Sequence, residues 1–282
     1  MQVQQQILLE NTKHQRPILG DVFYKQNGQK KPLVIFCHGY KGYKDWGAWN
    51  LAAASFAAQD LFFLKFNFSH NGGNRNELID FPDLEAFGQN NYCLELDDLE
   101  TVINWIQDSH YASEINLEDI SLVGHSRGGG IVLIKAAENS RIKRVISWAG
   151  VSDYAARFPT GEELEAWKET GVSYVENART KQQMPHYYQF FENFKAHEAR
   201  LTIQRAVSAL SVPQLVIQGA CDEVVLPQEA RNLHAWNPQS TLSIIEGMNH
   251  ALGAVQPWKK NQMPEDLAKV VAASVRFVKN KI

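Results

Sequence analysis

The sequence predicts an α/β protein with a mostly parallel central sheet flanked by helices. Three observations predict it. Short continuous apolar runs rich in Val, Ile and Phe recur along the chain, as strands buried on both faces require. Segments of helical periodicity fall between them, which is the rhythm of parallel βαβ units. The chain has 282 residues, 44% of them hydrophobic, which is enough for a sizeable core in one or two domains.

The elements follow in order. Val3–Leu9 and Ile18–Tyr24 read as an antiparallel pair at a sheet edge, joined by a polar turn. The buried strands are Leu33–Cys37, Leu61–Phe66, Ile120–Val123, Val145–Trp148, Leu215–Ile217 and Leu242–Ile245. Alanine-rich Ala48–Gln59 is the first helix. Tyr92–Gln107 sets Leu94, Leu96, Leu99, Val102, Ile103 and Ile106 largely on one stripe, the mark of an amphipathic helix. Ile131–Asn139 follows a glycine cluster, and Pro227–Trp236 opens with proline in its first turn. Pro264–Lys279 closes the chain. Between about Ser152 and Arg205 the rhythm breaks, with no strong buried strand. This segment reads as a cap inserted after the sixth strand, with the core formed by residues 1–151 and 206–282. Within it, Gly161–Thr170 is a short helix ending at Gly171, and Val172–Arg179 with Lys181–Tyr187 forms a hairpin. Pro185 is read as opening a further helix over His186–His197.

Composition excludes several classes. Net charge is −3 and there is no basic stripe, so nothing points to a nucleic-acid partner. The first residues lack a cationic start followed by an apolar core, and no apolar run is long enough to span a membrane. Cys37, Cys93 and Cys221 show neither CxxC nor zinc spacing and read as reduced thiols of a cytoplasmic protein. Cys221 is expected to be a small buried hydrophobe.

The chemistry concentrates in Leu122–Gly130, LVGHSRGGG. Gly124–Gly128 fits G-x-S-x-G. The pattern alone is weak, but here a strand precedes it and a helix follows, the setting of a nucleophile elbow. There the serine, Ser126, sits on a strained turn at the carboxyl edge of the sheet, and glycines let the chain pass close. A nucleophilic serine needs a base, and the base needs an orienting acid. His250, in the loop GMNHALG directly after a late strand, is the candidate base. Asp222, in QGACDEVV after Leu215–Ile217, is the candidate acid; Asp153 after VISWAGVS and Glu223 are its rivals. The order Ser…Asp…His is that of one known triad arrangement. The oxyanion donors are the backbone N–H groups of Arg127 and of Tyr40, the latter in His38-Gly39-Tyr40 after the strand Leu33–Cys37. Neither side chain is needed for that role.

On these residues, His38-Gly39-Tyr40, Gly124–Gly128, Asp222 and His250, the chain resembles the α/β-hydrolase fold superfamily. The resemblance covers essentially everything outside the insertion. It is nearest to small esterases of the cinnamoyl/feruloyl-esterase and dienelactone-hydrolase-like groups. Two departures stand out: dienelactone hydrolases use a cysteine where this chain has Ser126, and Arg127 stands where Gln or Met is frequent. The resemblance implies a serine hydrolase acting on a small-molecule carboxylic ester, with no metal or cofactor. It also implies that the polar loop after Phe66 packs beneath the oxyanion loop. A thioesterase, an acyltransferase or a small peptidase would use the same triad. A non-catalytic binding module of the same fold is the reading from another class.

Overall fold

The apolar runs assemble into one eight-stranded sheet with strand order β1-β2-β4-β3-β5-β6-β9-β10. The structure, a computed structural model, describes residues 1–11, 13–77 and 79–280. In chain order the elements are β1 (Gln2–Leu9), β2 (Ile18–Tyr24), β3 (Lys31–Cys37), α1 (Trp49–Ala58), β4 (Phe62–Asn67), α2 (Leu84–Gln89), α3 (Tyr92–Asp108), β5 (Ile115–His125), α4 (Arg127–Glu138) and β6 (Ile142–Trp148). Then come α5 (Glu162–Thr170), β7 (Val172–Glu176), β8 (Gln183–Tyr187), α6 (Gln189–Ala196), α7 (Glu198–Leu201), α8 (Ile203–Ser208), β9 (Gln214–Gly219), α9 (Pro227–Trp236), β10 (Thr241–Ile245) and α10 (Glu265–Val278).

β1 pairs antiparallel with β2, and β2 antiparallel with β4. From β4 to β10 every pairing is parallel. The sheet therefore has the predicted mostly parallel character with an antiparallel edge.

The two-residue period of the strands divides the core. Leu33, Ile35 and Cys37 of β3 face the layer that holds α3 and α4, together with Leu122, Val145 and Val216. Val34 and Phe36 face the opposite layer, where α1 and α10 pack over Val123, Ile146 and Trp148. Side chains alternate across a strand, so one register fixes both faces. Trp148 Nε1 donates to Ser274 Oγ at 2.9 Å, which pins α10 to the centre of the sheet without leaving the indole unsatisfied. Helix starts carry their own signals: Asn91 Oδ1 accepts from Leu94 N at 3.0 Å ahead of α3, and Asp83 Oδ1 from Ala86 N at 2.9 Å ahead of α2.

Several local expectations change. α2 was not anticipated; its six residues lie in the stretch read as polar loop. Pro185 does not open a helix. It sits inside β8, paired with Tyr174 across the β7–β8 hairpin, and α6 starts at Gln189. That two-stranded sheet stands apart from the main one, so proline there interrupts no central ladder. Cys221 is exposed rather than buried, because the turn after β9 directs Asp222 inward and its neighbour outward. No helix among the described residues is long and apolar enough to cross a membrane.

The loop after β4 lies against the loop after β3, as the resemblance implied. His38 Nε2 accepts from Phe68 N at 3.3 Å, and Asn67 Oδ1 accepts from Lys44 N at 2.6 Å. Asn71 Nδ2 adds a bond to Gly42 O at 3.3 Å. Beneath them lies a buried charge cluster in which Lys44 and Lys65 both contact Asp21 and Asp45. Each buried ion there is paired, which is the condition for tolerating it.

Candidate active site

Parallel strands deliver their following loops to one edge of the sheet. The loops after β3, β5, β9 and β10 carry Gly39, Ser126, Asp222 and His250. Ser126 connects β5 directly to α4 with φ 57° and ψ −120°, a strained backbone for a residue with a Cβ. The strain persists because the surroundings admit no other path. A Cβ on Gly124 would lie 2.1 Å from Gly128 O, and one on Gly128 would lie 2.5 Å from Cys37 O. These two glycines let α4 leave the sheet at once, and the serine is held at the apex. Ser126 N donates to Trp148 O at 3.0 Å, which fixes the turn to β6.

Three predicted side chains meet. His250 Nε2 lies 3.0 Å from Ser126 Oγ, and His250 Nδ1 lies 2.8 Å from Asp222 Oδ2. Asp222 is buried, and its four contacts use both oxygens. Oδ1 accepts from Val224 N and Val225 N, each at 2.9 Å, and Oδ2 also accepts from Gln218 Nε2 at 2.9 Å. Burial alone would raise its pKa. The imidazole of His250 and the two amides outweigh that and hold it below the usual carboxylate value. Asp222 is thus an ionised acceptor that fixes the proton on His250 Nδ1 and leaves Nε2 facing the serine.

The rival acids are elsewhere. Asp153 accepts from Ala155 N at 2.8 Å and shapes an exposed turn. Glu223 is exposed beside Asp222.

Of the residues whose amides are predicted to serve an oxyanion, Arg127 directly follows Ser126 and Tyr40 directly follows Gly39. Gly39 approaches Ser126 so closely that a Cβ there would lie 2.7 Å from Ser126 Cβ. Arg127 is the first residue of α4, where backbone N–H groups have no intrahelical acceptor.

Other residues of the site escaped sequence reasoning. His125 Nε2 lies 2.9 Å from His250 O and so braces the loop that carries the base. Burial, reinforced by the neighbouring His250, lowers its pKa to about 3, so it stays neutral and donates. Its position directly before the serine was the only signal. Tyr40 and Arg127 also bring side chains to the site. Together with Ser126, Tyr92, Tyr154, Phe158, Trp167 and Phe190 they line a cavity of about 440 Å³. Of the aromatic residues in the 152–205 segment, Tyr154, Trp167, Phe190 and Phe194 are buried. Tyr154 stacks on Tyr92 with ring centroids 3.8 Å apart. Tyr154, Trp167 and Phe190 both pack into the core and line the cavity. Among the described residues no group of three or more His, Cys, Asp or Glu side chains converges as metal ligands.

Comparison with known proteins places the fold. A family model described as alpha/beta hydrolase fold matches residues 88–253, a span that contains Ser126, Asp222 and His250. An uncharacterized 31.7 kDa protein in the traX-finO intergenic region of Escherichia coli is 28% identical over 131 residues; the chain spans 39% of that relative's length, and the match takes 44% of this chain. Est1E from Butyrivibrio proteoclasticus, with ferulic acid bound, superposes with TM-score 0.69 at 18% identity over 98% of both chains. The esterase domain of a Rhodothermus marinus protein gives TM-score 0.67 at 17% identity over 99% of both chains. A puromycin-hydrolyzing peptidase of Mycobacterium tuberculosis gives 0.63 at 16% identity, covering 99% of this chain and 39% of that one. At these identities the structural likeness is one of fold. With a family model matched over more than half of its residues, the chain belongs to the alpha/beta hydrolase fold family.

Proposed function

We propose that the protein is a serine hydrolase that cleaves carboxylic esters through an acyl-enzyme on Ser126. One observation carries the reading: the hydrogen-bonded series Asp222–His250–Ser126 ends on a hydroxyl at the wall of a cavity. Ser126 Oγ attacks the ester carbonyl while His250 Nε2 takes its proton. The imidazolium is stabilised by Asp222, and the backbone N–H groups of Tyr40 and Arg127 receive the developing oxyanion. His250 then protonates the leaving alcohol. A water activated by the same imidazole hydrolyses the acyl-enzyme and restores the serine.

Residues 152–205 act as the cap of this site. Their side chains supply much of the cavity wall, and a cavity of about 440 Å³ lies within the range of small-molecule pockets. Short-chain or aryl acyl groups fit a bounded, aromatic-walled space, whereas a long acyl chain needs an open apolar trough. The likeness to Est1E, which binds ferulic acid, supports hydroxycinnamoyl esters as one such class.

The test is kcat/KM across p-nitrophenyl esters from acetate to palmitate, with methyl ferulate alongside, for the wild type and Ser126→Ala. Activity that peaks at short or aryl groups and vanishes in Ser126→Ala is the expected result. Failure of a fluorophosphonate probe to label Ser126, together with no ester turnover, favours a binding module instead. A monotonic rise toward palmitate makes the protein a lipase.

A further inference from the structure

The side chain of Arg127 has no part in the proposed chemistry, yet it is set into the wall of the same cavity as Ser126. It retains only 15% of its exposure, and among the described residues its one side-chain hydrogen bond is from Nη1 to Glu95 Oε1 at 3.4 Å. A guanidinium has five N–H donors in a planar fork. Here one is used, and at the long limit of a hydrogen bond.

Three rings crowd the cation. Its central carbon lies 4.5 Å from the centroid of Tyr40, 5.4 Å from that of Tyr92 and 5.3 Å from that of Phe190. These contacts favour the positive charge but accept no N–H bonds.

A purely structural role would be to neutralise Glu95. The geometry does not fit that role well. A structural Arg–carboxylate pair is typically short and bidentate. Glu95 instead gives Oε1 to Asn90 Nδ2 at 2.7 Å as well as to Arg127, and its Oε2 is buried with no partner. Burial also pushes the Glu95 carboxyl up from its ordinary value, against the opposing pull of Arg127. The arginine is therefore desolvated, only weakly paired, and left with most of its donors along the cavity wall.

Two other charged side chains line the cavity. Arg157 is paired with Glu229, and Glu163 is an exposed residue of the first turn of α5. Lys41 Nζ lies 5.1 Å from the centroid of Tyr40, a second cation on the ring that Arg127 occupies.

We propose that Arg127 makes the cavity selective for esters that carry a carboxylate on the portion entering it, the anion docking on the free N–H edge of the guanidinium. The inference rests on the esterase reading above and names the substrate class of that site. The docked carboxylate does not react. It accepts two N–H bonds and orients the ester, while cleavage at Ser126 consumes one water and releases acid and alcohol as before. Such half-esters arise from reactions that acylate an alcohol with one end of a dicarboxylic acid, or that esterify one of its two carboxyl groups.

The experiment compares the 4-nitrophenyl half-esters of adipate, pimelate and suberate, each against its primary-amide counterpart of equal length. The readout is the ratio of kcat/KM, acid over amide. The wild type is expected to favour the acid by roughly tenfold or more at one of the three lengths, as a charge-assisted bidentate contact does. That ratio should fall close to one in Arg127→Gln. Arg127→Lys, which keeps the charge without the fork, should retain an intermediate preference and serves if the glutamine variant does not fold. Binding supplies a second readout: adipate, pimelate or suberate should raise the Tm of Ser126→Ala and leave Ser126→Ala/Arg127→Gln unmoved. Turnover of neutral and acidic esters at equal rates in the wild type overturns the inference and leaves the esterase reading standing. A preference for acids that survives in Arg127→Gln overturns the assignment to Arg127. No turnover of any ester together with no fluorophosphonate labelling overturns the esterase reading itself.

Discussion

The hydroxyl of Tyr40 lies 2.9 Å from Nε2 of His186, joining the loop that abuts Ser126 to strand β8 of the separate hairpin. Burial lowers the pKa of His186 to about 4 and pushes that of Tyr40 up to about 12. Both are therefore neutral across the physiological range, and the bond joins a phenol O–H group to a neutral imidazole. Tyr40→Phe removes this one bond and keeps the ring. It should cost about 1 kcal/mol, the usual net value of a hydrogen bond. Hydrogen exchange should accelerate across residues 172–187 before it does in the main sheet. Unchanged protection in the hairpin would mean that other contacts hold it.

The Asp222–His250–Ser126 series should behave as a unit. Ser126→Ala and His250→Ala should each lower kcat by roughly 10⁴-fold or more, and the double variant should be no worse. Asp222→Asn should cost a comparable amount, since an amide at that position favours the wrong tautomer of His250. Asp153→Asn should leave kcat within a few fold, because Asp153 only shapes an exposed turn. Abolished activity in Asp153→Asn with retained activity in Asp222→Asn would reverse the assignment of the acid.

Gly39→Ala tests the close approach beside the serine. The added methyl would lie 2.7 Å from Ser126 Cβ, closer than side-chain carbons pack, and 3.1 Å from His125 O, a tight contact. The oxyanion loop must retreat, and a displacement of about 1 Å at such a site costs on the order of 10²-fold. The expected outcome is a loss of that size in kcat with a smaller change in KM. Wild-type kcat in this variant would show that the loop has room to spare.

The buried histidines set the acid limb of stability. Burial lowers His38, His70 and His186 to about 4 and His125 to about 3. In the unfolded chain each titrates near ~6.5. Between those values the unfolded state takes up protons that the folded state refuses, so stability is full above ~6.5 and is lost as pH falls. Asp98 opposes this: burial raises it to about 7, so the folded state takes its proton first. The net slope should be about two and a half protons near pH 5.5, read from urea unfolding between pH 5 and 7. Asp98→Asn should steepen the slope by about one proton. A flat profile would mean that these histidines are not held neutral.

The sequence by itself determined the strand order's raw material and the reactive turn. Continuous runs such as Leu33–Cys37 announce strands buried on both faces, and the Gly124–Gly128 spacing announces a turn too tight for side chains. Both are local properties, readable from period and residue type. Asp222 and His250 were legible because each follows a strand, and parallel strands send their following loops to the same edge.

Tertiary structure alone decided the rest. His250 and Ser126 are 124 residues apart, and only the parallel register from β5 through β6 and β9 to β10 brings them to 3.0 Å. Cys221 points to solvent because its neighbour Asp222 turns inward, a choice that composition cannot register. Pro185 lies in a strand because its hairpin is free-standing and lacks a ladder for proline to break. The bracing of His250 by His125, and the loose hold of Glu95 on Arg127, depend on which faces the sheet and helices present to one another. Hydrophobic period fixes what an element is, but long-range packing fixes which of its side chains meet.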